Sequence, residues 1–190
     1  MTAGSEPFLM CVEDAFDRNQ GRLVLLTGRI ERGRVREGDM VETVGLDGGT
    51  LLPVRGVEVH HRRIDEAGAD THVGLLLPGV ASSSIERGQV LAAPGSVVAH
   101  ARFTADIALL AEDHGGAEIR SGERLQFHVR TAVVRGTVML APDTDALPPL
   151  HRGTVTAALE RPVALEEGQP FAFRQHGRAA GTGTVTRLPN

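Results

Sequence analysis

His60, His61 and His72 fall within thirteen residues of one another, in a 190-residue chain with eight histidines in all. Imidazoles at that density could exchange protons or ligate a metal. A metal needs several ligands aimed at one point. Read as neighbours in a strand, His60 and His61 face opposite ways, so only one of them could join His72, and no cysteine or further ligand stands at a suitable spacing. No metal and no cofactor is therefore expected, and the three histidines are read as surface or pocket-lining groups. Carboxylates fare no better as an acid–base pair. Glu13–Asp14, Asp65–Glu66, Glu112–Asp113 and Glu166–Glu167 are sequence neighbours, which in strands cannot share a proton, and they read as solvated charge. Nucleophiles are also badly placed: Ser82, Ser83 and Ser84 lack a G-x-S-x-G elbow, and the single Cys11, within "FLMCV", reads as a small hydrophobe packed in a strand.

Phosphate binding by a glycine-rich loop is the remaining local option. "GRAAGTG" at residues 177–183 has dinucleotide-like glycine spacing, but no β-α-β pattern surrounds it and no helix start follows, so it reads as a hairpin between two strands. All 20 cations are arginine, and the absence of lysine rules out a Walker A loop. No catalytic residue is expected, and the chain is not read as an enzyme.

The elements that would position these residues are strands. Apolar runs of strand length occupy residues 7–16, 22–33, 38–46, 50–61 and 72–80, separated by Gly, Asn, Asp or Pro. Gly33, Gly38 and Gly48–Gly49 can take positive φ, and Asp39 and Asp47 favour turns, so hairpins are expected there. "IERGRVREGDMV" (30–41) then reads as scaffold: a hairpin closed by glycine, with its charges solvated. Pro94 and Gly95 interrupt the pattern near residues 92–98, after which long runs resume at 99–112, 124–140, 152–165 and 169–188. Residues 141–153 read as a loop, and Ser82–Ile85 is compatible with one helical turn. The expected fold is all-β: two consecutive β-barrels, residues 1–95 and 96–190.

Composition narrows the partners. A formal charge of −4 removes the usual electrostatic motor for sequence-blind nucleic-acid binding, so no DNA partner is expected and any RNA contact must be local. No apolar run approaches the length of a membrane span, and "MTAGSEP" lacks the features of a signal peptide; a cytoplasmic location with no membrane partner is expected.

Beyond these readings, "PFLMCVEDAF", "GRLVLLTGRIERGRVREGDMVETVGL", "RGVEVHHRRIDEAGADTHVGLLLPGV" and "IERGQVLAAPGS" resemble the second domain of bacterial elongation factor Tu. "EDHGGAEIRSGERLQFHVRTAVVRGTV" and "ERPVALEEGQPFAFRQHGRAAGTGTV" are similar to its third domain, and the likeness runs from about residue 7 to residue 188. The family's GTPase domain has no counterpart in these residues. The chain is accordingly read as a free-standing pair of barrels that does not hydrolyse GTP.

What the resemblance implies about function centres on transfer RNA. In the family the terminal adenosine lies in a cleft of the second domain, against an acid in the "GVE" strand and between apolar walls. Those positions correspond here to Glu58, Leu25 and Leu76, with Asn19 standing where an apolar wall residue is usual. His60 falls near the aminoacyl ester; His61 replaces an arginine, His72 an asparagine, and Leu23 a glycine. In the third domain the Arg-His pair that grips T-stem phosphate is replaced by Ala117 and Glu118, in a loop two residues shorter, and the carboxylate is expected to repel phosphate. Arg135, Arg161 and His176 are the positions left to supply positive charge to the stem. Two partners follow as expectations: aminoacyl-tRNA, bound weakly, or a protein docked on the surface that the GTPase domain covers in the family, with a homodimer as one form of the latter.

Overall fold

The structure, a computed structural model, describes residues 6–190. It is all-β, and it divides into two compact units, Met1–Val98 and Ala99–Asn190.

The first unit runs β1 (Leu9–Arg18), β2 (Leu23–Arg32), β3 (Arg34–Arg36), β4 (Met40–Val44), β5 (Leu51–Pro53), β6 (Gly56–Val59), β7 (Arg62–Ile64), β8 (Glu66–Gly68), β9 (His72–Pro78) and β10 (Val90–Ala92). Eight of these form one sheet in the order β5-β4-β10-β1-β2-β9-β6-β7, and β3 pairs with β8 apart from it. The segment that links β5 to β6 ties the two sides of the sheet together. Between β5 and β6, Val54 exchanges hydrogen bonds with the chain before β4 (its N–H to Asp39 O and Gly38 N–H to its carbonyl, both 2.8 Å), whereas Arg55 N–H donates to Leu76 O on β9 at 2.7 Å. The result is a barrel filled by alternate residues such as Val24, Leu26, Val73, Leu75 and Leu77, all essentially inaccessible.

One sequence expectation changes here and another holds. "IERGRVREGDMV" does not close a hairpin between its flanking strands: β2 and β4 are not neighbours, and β3 leaves the barrel at Gly33 (φ 74) to pair with β8. Its charges are partly matched across that ribbon, where Arg34 pairs with Glu66. The turn at residues 45–50 does close a hairpin, β4 with β5, although its clamp is a side chain that the turn glycines do not advertise. Thr43 is buried, and its Oγ1 accepts from the N–H groups of Gly49 and Thr50, both at 3.1 Å. Thr43→Val keeps the shape and removes that acceptor, so chemical denaturation should show a loss of about 1 kcal/mol.

The second unit runs β11 (Val98–Leu109), β12 (Ile119–Arg120), β13 (Arg124–Val129), β14 (Ala132–Leu140), β15 (Ala146–Leu147), β16 (Arg152–Leu165), β17 (Pro170–Gln175) and β18 (Arg178–Arg187). Six close into a barrel, β11-β16-β14-β13-β17-β18. Four of the chain's six phenylalanines fill it: Phe103, Phe127, Phe171 and Phe173 meet with ring centroids 5.5–6.4 Å apart, edge-on or tilted. The expected long strands at 124–140 and 169–188 are in fact hairpins, turning at Arg130–Thr131 and at His176–Gly177. Leu125, Phe127 and Val129 are buried before the first turn and Ala132, Val134 and Val138 after it, so the two-residue turn reverses the parity of the buried positions, a phase change that a single bent strand does not accommodate. The presumed loop at 141–153 also contains β15, which pairs with β12.

Candidate functional site

The outer face of the first barrel carries a row across three strands: Thr27 on β2, Gly74 on β9 and Glu58 on β6 are mutual partners in register. The middle position has no side chain. A Cβ on Gly74 would come within 2.7 Å of Leu25 Cδ1, so glycine is required for Leu25 to lie where it does. The hollow that results, about 250 Å³, is lined by Arg18, Leu25, Thr27, Glu58, His60, His61, His72, Val73 and Gly74. That is smaller than the roughly 300 Å³ and upward of drug-sized pockets, and suits one compact group with a few polar contacts.

Glu58 is the unusual residue in it. Its side chain is only 15% exposed, and Arg18, the nearest cation, holds Nη1 at 3.9 Å from Oε2. That oxygen is buried yet accepts no hydrogen bond. A carboxylate oxygen in such a position is costly unless a donor reaches it.

The histidines are arranged differently from the strand-neighbour reading. His60 and His61 are the loop of the β6–β7 hairpin, between partners Val59 and Arg62, and both have positive φ (51° and 63°) as the two central residues of a type I′ turn do. Turn residues are not bound to alternate faces, and both line the same hollow. His72 enters from β9, with Nε2 2.8 Å from Glu13 Oε2. Glu13 is the extra residue of a bulge in β1, where the register with β2 passes from Val12↔Gly28 to Asp14↔Thr27. The bulge re-aims its carboxylate, so Glu13, set aside as solvated charge, is a partner of the site. Among the described residues no group of three or more His, Cys, Asp or Glu could hold a metal.

On the second barrel, Arg135 of β14 and Arg174 of β17 flank Gln126 of β13 in register, and Arg124 lies on the same face of β13. With His176 and Gly177 of the β17–β18 turn they surround a hollow of about 370 Å³. Arg124 pairs with Glu160, and Arg174 donates to the Gly177 carbonyl. Arg135 is exposed.

Two family matches bear on these barrels: residues 24–92 match elongation factor Tu domain 2, and residues 96–189 match the elongation factor Tu C-terminal domain. The chain is an elongation factor Tu-like domain pair. Arg18 and Glu13 of this elongation factor Tu-like pair lie before the matched stretch, on β1. Of the seven residues expected around the RNA end, Leu25, Glu58, His60, His61 and His72 share the hollow. Leu76 is buried in the adjoining row, opposite Leu25, and Asn19 sits in the β1–β2 turn at φ 50, outside the lining. Of the three stem positions, Arg135 and His176 come together, whereas Arg161 on β16 is half-buried and is not part of that hollow. Glu118, expected to repel phosphate, is matched by Arg120 at 3.2 Å.

Sequence reasoning passed over Arg18, Thr27, Gly74, Arg124, Gln126 and Arg174. A signal existed for the last three, since each shares its strand's outward parity with the others in the row. Arg18 had none, because its relation to Glu58 depends on how β1 packs beside the rest of the sheet. No helix among the described residues is long and apolar enough to cross a membrane.

Proposed function

We propose that this elongation factor Tu-like pair binds the aminoacylated 3′ end of transfer RNA, with the terminal adenosine in the hollow at Glu58 and backbone phosphates at the arginine row of the second barrel. The observation that carries the reading is the orphaned Glu58 Oε2, buried in a hollow with an apolar floor. A ribose hydroxyl would supply the missing donor, and Leu25 offers a surface for a base. Arg124, Arg135 and Arg174 on one sheet face give a local positive patch on a chain of net charge −4, the arrangement that favours a defined RNA contact over indiscriminate binding. The role proposed is that of a receptor.

Titration with charged and uncharged transfer RNA at two salt concentrations tests this. Saturable binding in the micromolar range is expected, tighter for the charged form and weaker at high salt. Absence of saturation at tens of micromolar would remove the reading. It would favour instead a protein-docking module, for which Val133 and Met139, each 53% exposed on the outer face of β14 beside Arg135, supply apolar contact area.

A further inference from the structure

The β6–β7 turn is occupied by residues that its backbone does not favour. The corresponding two-residue turn between β17 and β18 uses His176–Gly177, with glycine at the second position (φ 75). At 60–61 that second position is a histidine at φ 63, where a Cβ is disfavoured. Both imidazoles nevertheless line the hollow, and neither makes a hydrogen bond or ion pair with another of the described residues. His72 is satisfied by Glu13, so the available donors at the mouth are His60, His61 and the exposed part of Arg18. The apolar lining, Leu25 and Val73, is small and lies with Glu58 where the base and ribose would sit. An aliphatic group at the mouth would cover imidazole N–H groups without replacing their hydrogen bonds, whereas a carboxylate would accept from them.

We infer that the His60–His61 turn makes this hollow selective for acyl groups ending in a carboxylate, so that aspartyl and glutamyl esters are held in preference to leucyl and valyl ones. The inference rests on the reading of the hollow as the seat of an aminoacylated RNA end, and adds to it the class of the acyl group.

The test uses the full chain and four preparations of one RNA minihelix esterified at its 3′ end with aspartate, glutamate, leucine or valine, with the deacylated minihelix as reference, at one pH and salt concentration. Aspartyl and glutamyl esters should bind about tenfold more tightly than leucyl and valyl esters, the effect of one charge-assisted hydrogen bond. His60→Asn combined with His61→Gly installs the residue pair that a type I′ turn prefers, so the fold is retained while both imidazoles are removed; in this variant the acid-to-aliphatic ratio should collapse to about one. Equal affinity for all four esters in the unmodified chain would overturn the selectivity and leave the receptor reading standing, as would a preference that survives in the double variant. Failure of every ester to bind better than deacylated RNA would overturn both.

Discussion

Gly28→Ala is expected to lower the stability of the first barrel by at least about 3 kcal/mol. Gly28 pairs with Val12 in the β1–β2 ladder, just ahead of the bulge that carries Glu13. A Cβ built there would lie 1.8 Å from the carbonyl oxygen of Cys11 and 3.0 Å from its carbon. Neither is the end of a flexible side chain, so the two strands would have to part, and β1 and β2 lie at the middle of the sheet. Gly21→Ala is the matched control. Nothing lies within 4 Å of its Cβ, and only its φ of +81 opposes the change, so about 1 kcal/mol is expected. Denaturation of the two variants beside the parent decides the matter; similar midpoints for both would mean that β1 and β2 do not approach as described.

Glu58→Met should separate stability from binding. In the free protein it removes a buried oxygen with no donor and gives up only a 3.9 Å approach to Arg18, whose side chain is 42% exposed. The variant is therefore expected to be more stable by about 1 kcal/mol. Binding of an aminoacylated RNA end should weaken by at least about tenfold, because the acceptor for the ribose is gone. A gain in stability at the cost of affinity is the pattern of a group retained for recognition. Unchanged affinity would show that Glu58 does not meet the ligand, and reduced stability would show that its carboxylate is already satisfied in the free protein.

How much of this was legible in the residues differs from element to element. Alternating apolar runs and turn glycines were enough to expect an all-β chain, since period-two burial is imposed by the strand itself. Applied as one continuous strand, the same periodicity passed over the hairpins at Arg130–Thr131 and His176–Gly177, although the buried phase reverses from Val129 to Ala132 across the first of them. It also misplaced His60 and His61. Strand geometry would send them to opposite faces, but a two-residue turn at positive φ lets both line one hollow.

What the sequence determined by itself was the barrel architecture and the membership of Leu25, Glu58 and the histidines in one candidate set, since these depend on local pattern and on position within recognisable motifs. Tertiary structure alone decided the rest. The row Thr27–Gly74–Glu58 joins three strands that are distant along the chain, and the hollow exists because the central member lacks a side chain. Arg18 faces Glu58, and Glu13 reaches His72, through a bulge and a register that no local pattern encodes. The physical reason is common to all of these: a ladder aligns residues by closing the sheet on itself, so which side chains meet across it is a property of the closure and not of any one strand.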